Sequence, residues 1–571
     1  MKRSTIKFHF KFFLLVILLT HLAFQSNGQS AYAPLNTDYY YLIDRYQVLN
    51  PDLSNDQLHS SFKPYRRKVI AAFIDSLESE QSSHDEANLR YLKTDNWEYF
   101  KNGDENSKKP FWKHFYKKKP DLIYVDSKDF DLHVKPVIYF AAGRDPNSAS
   151  SPYINSRGFE LRGKIDNKVS FYTFLTENQA VFPRYVQDVA AEGGAIPNEG
   201  FWKLFGGNGH DFFTARGYIQ FNVTKHIGVQ FGHDRNFIGN GYRSILMSDY
   251  SAPYPFIKLQ TKIWKLQYTN LYSELTADAP FTRTGSLGTK EFPKKFMTLH
   301  HLSMNISKRL NVGIFESVVF HRGDSTGTAI EFNYLNPVIF YSSIEQQTGS
   351  PDNALLGLDF KWNARAGVSF YGQFILDEII VSELTSDRGW WGNKYAYQLG
   401  GKYFNAFKIP HLDLQAEYNY SRPFTYSHES IFTNYAHYRQ PLAHPLGANF
   451  KESIFIARYQ PLEKLFLTLK YIKSNFGSDP DGQNFGGNVL KSYDSRFLNL
   501  RADADYGYNT GDGIKNNLTF LDLTVSYRLK HNLFIDLKHI YRKLNTDNST
   551  NSTQFSSLAL RLNIAARDYS F

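Results

Sequence analysis

The strongest constraint on this chain is a strict two-residue alternation of apolar and polar side chains, repeated in pairs of segments too long for an ordinary strand. Between Asn517 and Ile540, Leu521, Leu523, Val525, Tyr527 and Leu529 alternate with Asp522, Thr524, Ser526 and Arg528. A short turn at Lys530 to Asn532 follows, and Leu533, Ile535 and Leu537 then alternate with Phe534, Asp536 and Lys538. Successive side chains of a strand point to opposite faces, so each arm has one apolar and one charged face. Leu412 to Tyr420 and Leu465 to Tyr471 repeat the pattern. The segments run to about ten residues or more, the length a tilted strand needs to cross a bilayer.

A soluble sandwich also alternates, but its strands are shorter and its edges stay open. Here tight turns join the pairs and long polar loops separate them, which is the pattern of a barrel in an outer membrane. Eighteen candidate strands, the first near Leu132 and the last near Ser556, give an even number. The expected fold is an all-β transmembrane barrel of about 18 antiparallel strands over residues 132–571. Aromatic residues make up 16% of the chain against only 42% hydrophobic overall, as interfacial girdles around a polar lumen require. The last strand carries Leu558, Leu560, Leu562 and Ile564 on one face; its phase slips near Ala565 and Ala566 before Tyr569 and Phe571. A terminal Phe of this kind resembles the signal read by the outer-membrane barrel assembly machinery, an expected partner together with outer-membrane lipid.

The first residues fix the compartment. Lys2, Arg3, Lys7 and Lys11 precede the apolar run Phe12 to Phe24, and Ser26 and Gly28 are small residues at the expected cleavage site. Residues 1–28 therefore read as a secretory signal peptide, the run being too short to span a membrane. Four of the ten excess positive charges lie there, leaving +6 for the rest. That mild balance, in an exported chain, does not indicate nucleic-acid binding. With no cysteine there is no disulfide, no thiolate nucleophile and no lipid-anchor cysteine.

Residues 29–131 read as an N-terminal helical region and linker. Ile70, Phe73, Ile74 and Leu77 fall on one helical face, and Ser83 with Glu86 has capping-box spacing ahead of Leu89 and Leu92. Lys108 to Lys119 (KKPFWKHFYKKK) reads as a solvated linker with its aromatics packed down; contact with anionic headgroups is the sharper alternative.

Catalytic and metal motifs are missing from the sequence. There is no G-x-S-x-G elbow and no H-E-x-x-H. His300 and His301 are neighbours on a strand and should face opposite sides, one to the girdle and one to the lumen; Asp377 and Glu378 meet the same objection. Ile238-Gly239-Asn240-Gly241 reads as a glycine turn tolerant of positive φ. No cofactor, metal site or enzymatic activity is expected.

One stretch, Gly232 to Phe256, is dense in functional residue types. NFIGNGYRSILMSDYSAPYPFIKL, from Asn236 to Leu259, resembles the signature of the Wzi family of capsule-assembly outer-membrane proteins. EFNYLNPVIFY (331–341) with DNALLGLD (352–359), and QFILDEI (373–379) with KYAYQLG (394–400), resemble two further segments of that family in the same order. The resemblance covers about Leu132 to Tyr420 well and the remainder loosely. It implies an eighteen-strand barrel with an N-terminal helical region, holding capsular polysaccharide at the surface of a Gram-negative cell without catalysis. The RemB-like branch of gliding bacteria is also similar in length and implies adhesion or motility. On this reading Arg235, Asn236, Asn240, Tyr242, Arg243, Asp249, Asn336, Asp352 and Asn353 are the candidate carbohydrate contacts. Amides and carboxylates would hold hydroxyls, aromatic faces would stack on sugar C–H surfaces, and Arg235 and Arg243 would pair with sugar carboxylates. A porin-type channel lined by Asp413, Glu417, Asp522, Arg528, Asp536 and Lys538 is the alternative. An outer-membrane lipase or protease lacks a nucleophile and base in the sequence.

Overall fold

The computed structural model describes residues 30–571 except 54–57, 78–81, 101–105, 149–150, 278–292, 322, 325–326, 329–331, 341–351 and 500–502. The expected signal peptide lies outside the described residues. Eighteen long strands form the wall: β1 (Phe130–Arg144), β2 (Tyr153–Ile165), β3 (Val169–Val181), β4 (Gly209–Asn222), β5 (Ile227–Asp234) and β6 (Tyr254–Ile263). They continue as β7 (Leu266–Thr276), β8 (Lys294–Asn305), β9 (Leu310–Phe320), β10 (Asn353–Arg365), β11 (Val368–Glu378) and β12 (Lys394–Tyr403). The last six are β13 (Leu412–Ser421), β14 (Phe450–Leu462), β15 (Leu465–Ser478), β16 (Ile514–Lys530), β17 (Leu533–Thr546) and β18 (Thr550–Leu562). Each pairs antiparallel with the next, and β18 closes on β1, from Ser556 opposite Arg144 to Leu562 opposite Ile138. Closure pairs the backbone groups of every strand, which is the requirement for spanning lipid with strands.

Side-chain parity sets the two faces. Leu537 is 55% exposed on the outer wall while its neighbour Asp536 is 3% exposed inside. Asp413, Glu417 and Asp522 are inward and buried in the same way, and Phe455, Leu399 and Leu558 lie outward and exposed. Inward polar groups are buried because the lumen is filled. At the end closed by short turns, periplasmic in barrels of this kind, three helices fill it: α1 (Thr37–Leu49), α2 (Arg67–Asp75) and α3 (Ser83–Asp95). Among the described residues no helix is long and apolar enough to cross a membrane.

The helices have their own small core of Leu42, Ile43, Tyr46, Ile70, Phe73, Ile74, Leu89 and Leu92. The cap of α3 is Ser82, one residue before the expected Ser83, with its Oγ accepting from Asp85 N at 3.2 Å. α1 is started by Asn36, whose Oδ1 accepts from Asp38 N and Tyr39 N; it turns Tyr39, Leu42, Ile43 and Tyr46 into that core and carries Tyr41, Asp44 and Arg45 on its other side. It sits among polar wall residues and is fixed by charge. Arg45 pairs with Asp413 of β13. Asp44 bridges Lys361 of β10 and Lys402 of β12, the latter at 2.6 Å.

Burial alone would raise the Asp44 carboxyl, but the Lys361 and Lys402 ammoniums outweigh it and hold it below the usual carboxylate range. A carboxyl with a lowered folded-state pKa contributes stability above its unfolded pKa of about 4, and that contribution fades as pH falls further. Asp44→Asn should therefore lower Tm at pH 7, and the gap to the wild type should close as pH drops from 4 to 2. Thermal melts followed by circular dichroism check this; parallel curves at every pH would contradict it.

Three local readings are corrected by the structure. First, the last strand stops at Leu562, not at Phe571. Asn563 turns with φ +54°, and residues 563–571 run back into the lumen, where Tyr569 and Phe571 pack with Phe182, Tyr185 and Ile454. The phase slip marks this exit. Below it the β1 edge is taken up by Ile123–Asp126, which pairs with Val134 to Asp131. Pro136 sits in the gap between the two pairings, where an N–H would find no partner, and its carbonyl accepts from Asn563 Nδ2 at 2.8 Å. Second, Asp377 and Glu378 do not face opposite ways. A bulge between Leu376 and Glu378 lets both reach Lys394 Nζ, at 3.0 and 3.2 Å. Third, Phe111 and Trp112 of the basic stretch are not packed down. They stack on each other at 4.6 Å, and Trp112 is 73% exposed.

His301 faces the lumen and bonds Asp359 at 2.6 Å, and His300 faces outward. His300 is shielded from lipid by a strap, residues 333–340 of the β9–β10 loop, which lies over the outer faces of β7 to β9. Tyr334 stacks on Phe320 at 4.2 Å, Tyr272 OH donates to Leu335 O at 3.1 Å, and Phe340 N donates to Glu316 Oε2 at 2.6 Å. The strap explains how polar Asn270, His300 and Glu316 are tolerated on an outward face.

Candidate functional site: the lumen loop and its cavity

The dense stretch singled out in the sequence is the β5–β6 loop, residues 235–253. It folds down inside the barrel. Phe237–Ile238 pairs with Phe62–Lys63 of the helical region, Gly239 N donates to Ser61 O, and Lys63 Nζ donates to Gly239 O, both at 2.6 Å. Gly239 has φ +133°, so glycine is required by conformation there. Gly241 is required by space: an added Cβ would lie 2.5 Å from Glu417 Oε2 and 2.7 Å from Gln398 Oε1.

Beyond the turn, Ile245, Leu246 and Met247 are fully buried in the main apolar cluster, together with Tyr426, Tyr435 and Leu442 of the β13–β14 loop. Wall side chains grip the loop backbone. Glu417 accepts from Tyr242 N at 2.7 Å and Arg243 N at 3.0 Å. Gln373 accepts from Ile245 N at 2.9 Å and donates to Ile238 O at 2.8 Å. Gln398 donates to Arg243 O at 2.9 Å. Gly357 lies against Leu246, whose Cδ2 is 2.7 Å from where a Cβ would stand. Segments that stood apart in the sequence thus meet: Gln373 of QFILDEI and Gly357 of DNALLGLD seat SILM, and Gln398 of KYAYQLG holds Arg243 just before it.

The loop, α1, the tail after β18 and the wall border a cavity of about 340 Å³. Five of the nine candidate residues line it: Arg235, Asn240, Tyr242, Arg243 and Asp249. Tyr242 OH donates to Asp568 Oδ2 and contacts Ser570 Oγ, both at 2.6 Å, and accepts from Lys470 Nζ at 2.8 Å. Arg243 is held by Glu452 at 3.5 Å and by the Ser570 carbonyl. Arg235 donates to the Asp249 carbonyl at 2.8 Å. Burial, reinforced by the Arg216 guanidinium, pushes the Arg235 guanidinium below its usual range.

The other four candidates lie elsewhere. Asn236 is buried behind the loop and accepts from Lys258 Nζ at 3.1 Å. Asn336 is on the outer strap, accepting from Val338 N at 3.1 Å, and Asp352 accepts from Tyr334 OH. Asn353 opens β10 and donates to Thr433 O at 2.9 Å. Sequence reasoning passed over Arg216, Glu199, Arg458 and Arg567, which also line the cavity. Their only signal is inward parity on β4 and β14 for the two wall arginines. Among the described residues no group of three or more His, Asp or Glu side chains could hold a metal ion.

The six residues proposed to line a channel are all engaged. Asp413 holds Arg45, Asp536 holds Arg561 at 2.6 Å, and Asp522 lies between Lys470 and Lys538. Lys538 donates to Arg567 O at 3.0 Å and Arg528 to Glu463 O at 3.1 Å. Glu417 holds the loop.

A closed eighteen-strand sheet, apolar outside and polar within, defines an outer-membrane β-barrel of a Gram-negative bacterium, here with a packed lumen. The model of the capsule assembly protein Wzi family matches residues 144–554, well over half the chain, and the chain belongs to that family. Among solved structures it is similar to Wzi of Escherichia coli, an outer-membrane protein involved in group 1 capsule assembly and described as a carbohydrate-binding β-barrel. The two share 13% identity over 94% of this chain and 100% of that one, with a TM-score of 0.55. OprD of Pseudomonas aeruginosa is similar at 11% identity, over 76% of this chain and 96% of that one, with a TM-score of 0.43. No curated protein matches the chain.

Proposed function

We propose that this protein is a non-enzymatic outer-membrane barrel that binds surface polysaccharide and holds the capsule at the cell. The observation that carries the reading is the packed lumen. Wall carboxylates, amides and ammoniums that would line an aqueous path in a porin instead clamp the helices, the β5–β6 loop and the tail. Such a molecule presents a rigid loop-bearing surface to the outside, which suits retention of a polymer better than its passage. The carbohydrate-binding E. coli Wzi has the same fold. Outer-membrane lipid solvates the apolar wall, and the barrel assembly machinery inserts it.

The test uses the full-length protein in lipid nanodiscs and the extracellular polysaccharide purified from its own strain. Surface plasmon resonance should show saturable binding, and planar bilayers should show no steady current. A folded protein that binds no polysaccharide, or that conducts steadily, would overturn the reading.

A further inference from the structure

The lumen cavity carries more cationic side chains than carboxylates, ten against eight. Three of its guanidiniums, Arg216, Arg235 and Arg458, form no ion pair with a carboxylate among the described residues. Arg216 lies over the Phe174 ring at 4.3 Å, and Arg458 lies over the Tyr41 ring at 4.7 Å with only the Gln415 amide oxygen, 3.3 Å away, as acceptor. Arg235 is bonded only to the Asp249 and Asn198 carbonyls. Glu199, a carboxylate lining the same cavity, is committed to Arg567 and to Thr214 Oγ1. Burial would raise its carboxyl, but Arg567, Arg235 and Arg216 together outweigh that and lower it.

Several polar atoms facing this space have no partner. Nε of Arg216, Arg235 and Arg567 and the amide nitrogen of Asn240, a residue only 6% exposed, are buried donors without an acceptor. Glu160 Oε1 and Asp568 Oδ1 are buried acceptors without a donor. Buried polar groups are almost always satisfied, so a set like this points to a ligand that completes it. The missing partner must bring an anionic acceptor for the guanidiniums and hydroxyl donors for the carboxylates. It must also offer a C–H face to the rings of Tyr40, Tyr41 and Tyr172, which line the same space. The volume is within the range of small-molecule pockets.

We propose that the cavity is a binding site for one carboxylate-bearing sugar unit, a hexuronate, with Arg216 and Arg235 taking its carboxylate and Asn240, Glu160 and Asp568 its hydroxyls. The assignment rests on the carbohydrate-binding reading and narrows it to acidic glycans. A guanidinium–carboxylate pair in a partly buried site is worth about tenfold in affinity or more.

The probe is glucuronate, with glucose as its neutral counterpart, titrated calorimetrically into the full-length protein in nanodiscs. Glucuronate should bind saturably and at least about tenfold more tightly than glucose. Arg235→Gln and Arg216→Gln should each weaken it by a similar factor, while Arg157→Gln, on the exposed Arg157–Glu177 pair, should not. Heat-modifiability on gels confirms that each variant is folded. Equal affinity for glucose and glucuronate, or no loss in a folded Arg235→Gln, would overturn the assignment. Polysaccharide binding measured on the same samples separates the two levels. If the polymer still binds, only the acidic-sugar assignment falls; if neither sugar nor polymer binds, both fall.

Discussion

Arg45→Ala should release α1 from the barrel wall. Arg45 is 1% exposed and its guanidinium grips both oxygens of Asp413, with a further bond to Asn405 Oδ1 at 2.8 Å. Tyr41 OH donates to the same carboxylate, and Asn405 N donates to it at 2.8 Å. Truncating the arginine leaves Asp413 charged and buried against neutral donors alone. Breaking a buried ion pair from one side costs about 3–5 kcal/mol. The barrel wall has its own closed hydrogen-bond ladder, so the loss should fall on the seat of the helices. Limited proteolysis of the folded barrel should then cut within residues 30–100 at a protease concentration that leaves the wild type intact. Bilayer recordings should show intermittent openings. Asp413→Asn is milder, because the amide can still accept from Arg45. An Arg45→Ala protein with wild-type protection and no openings would mean that the clamp is not what holds the helices.

Gly241→Ala should unseat the β5–β6 loop. The backbone at Gly241 is not in the left-handed region, so alanine is conformationally allowed, and the damage comes from contact. The new Cβ meets Glu417 Oε2 at 2.5 Å, Gln398 Oε1 at 2.7 Å and Arg243 O at 2.8 Å. Neither side chain is free to retreat. Glu417 is held by Tyr371 OH at 2.8 Å and by two backbone N–H groups, and Gln398 donates to Asn419 Oδ1 at 2.9 Å. Overpacking costs about 1–3 kcal/mol, and each buried N–H left unpaired adds a similar amount. Because the loop carries Arg235, Asn240 and Tyr242, binding of polysaccharide should fall together with Tm. Unchanged melting and unchanged binding would mean that the loop tolerates a shift at this point.

The wall was legible in the sequence because lipid and lumen impose opposite demands on alternate residues, and each of the eighteen expected strands has its counterpart in the wall, although β18 starts at Thr550 rather than near Ser556. The apolar face of Ile70, Phe73 and Ile74 made α2 legible. α1 escaped although Tyr39, Leu42, Ile43 and Tyr46 share one helical face, because its other side also packs, carrying Tyr41, Asp44 and Arg45 against charged wall residues and leaving no solvated polar face to complete the pattern. The end of β18 was misplaced because alternation continues through Ile564 beyond the last paired residue, and only the backbone turn at Asn563 ends the strand. Asp377 and Glu378 escaped because a bulge breaks the parity on which the argument rested.

The candidate site was half legible. Glycine and aromatic density picked out the stretch that holds residues 235–253, and five of the nine candidate residues, all from it, line the cavity. That the loop inserts into the barrel was not visible, since its anchors Gln373, Gln398 and Glu417 are more than a hundred residues away in sequence. Arg216 and Arg458 look like any other inward polar residue until the helices and tail close around them.

The partition of surface polysaccharide between cells and medium in a strain lacking this protein decides whether the barrel holds the polymer at the cell. Polysaccharide should still be made but be shed into the medium; the wild-type gene should restore it to the cell, and Gly241→Ala should restore it poorly. Full retention of polysaccharide on cells without the protein would contradict that role.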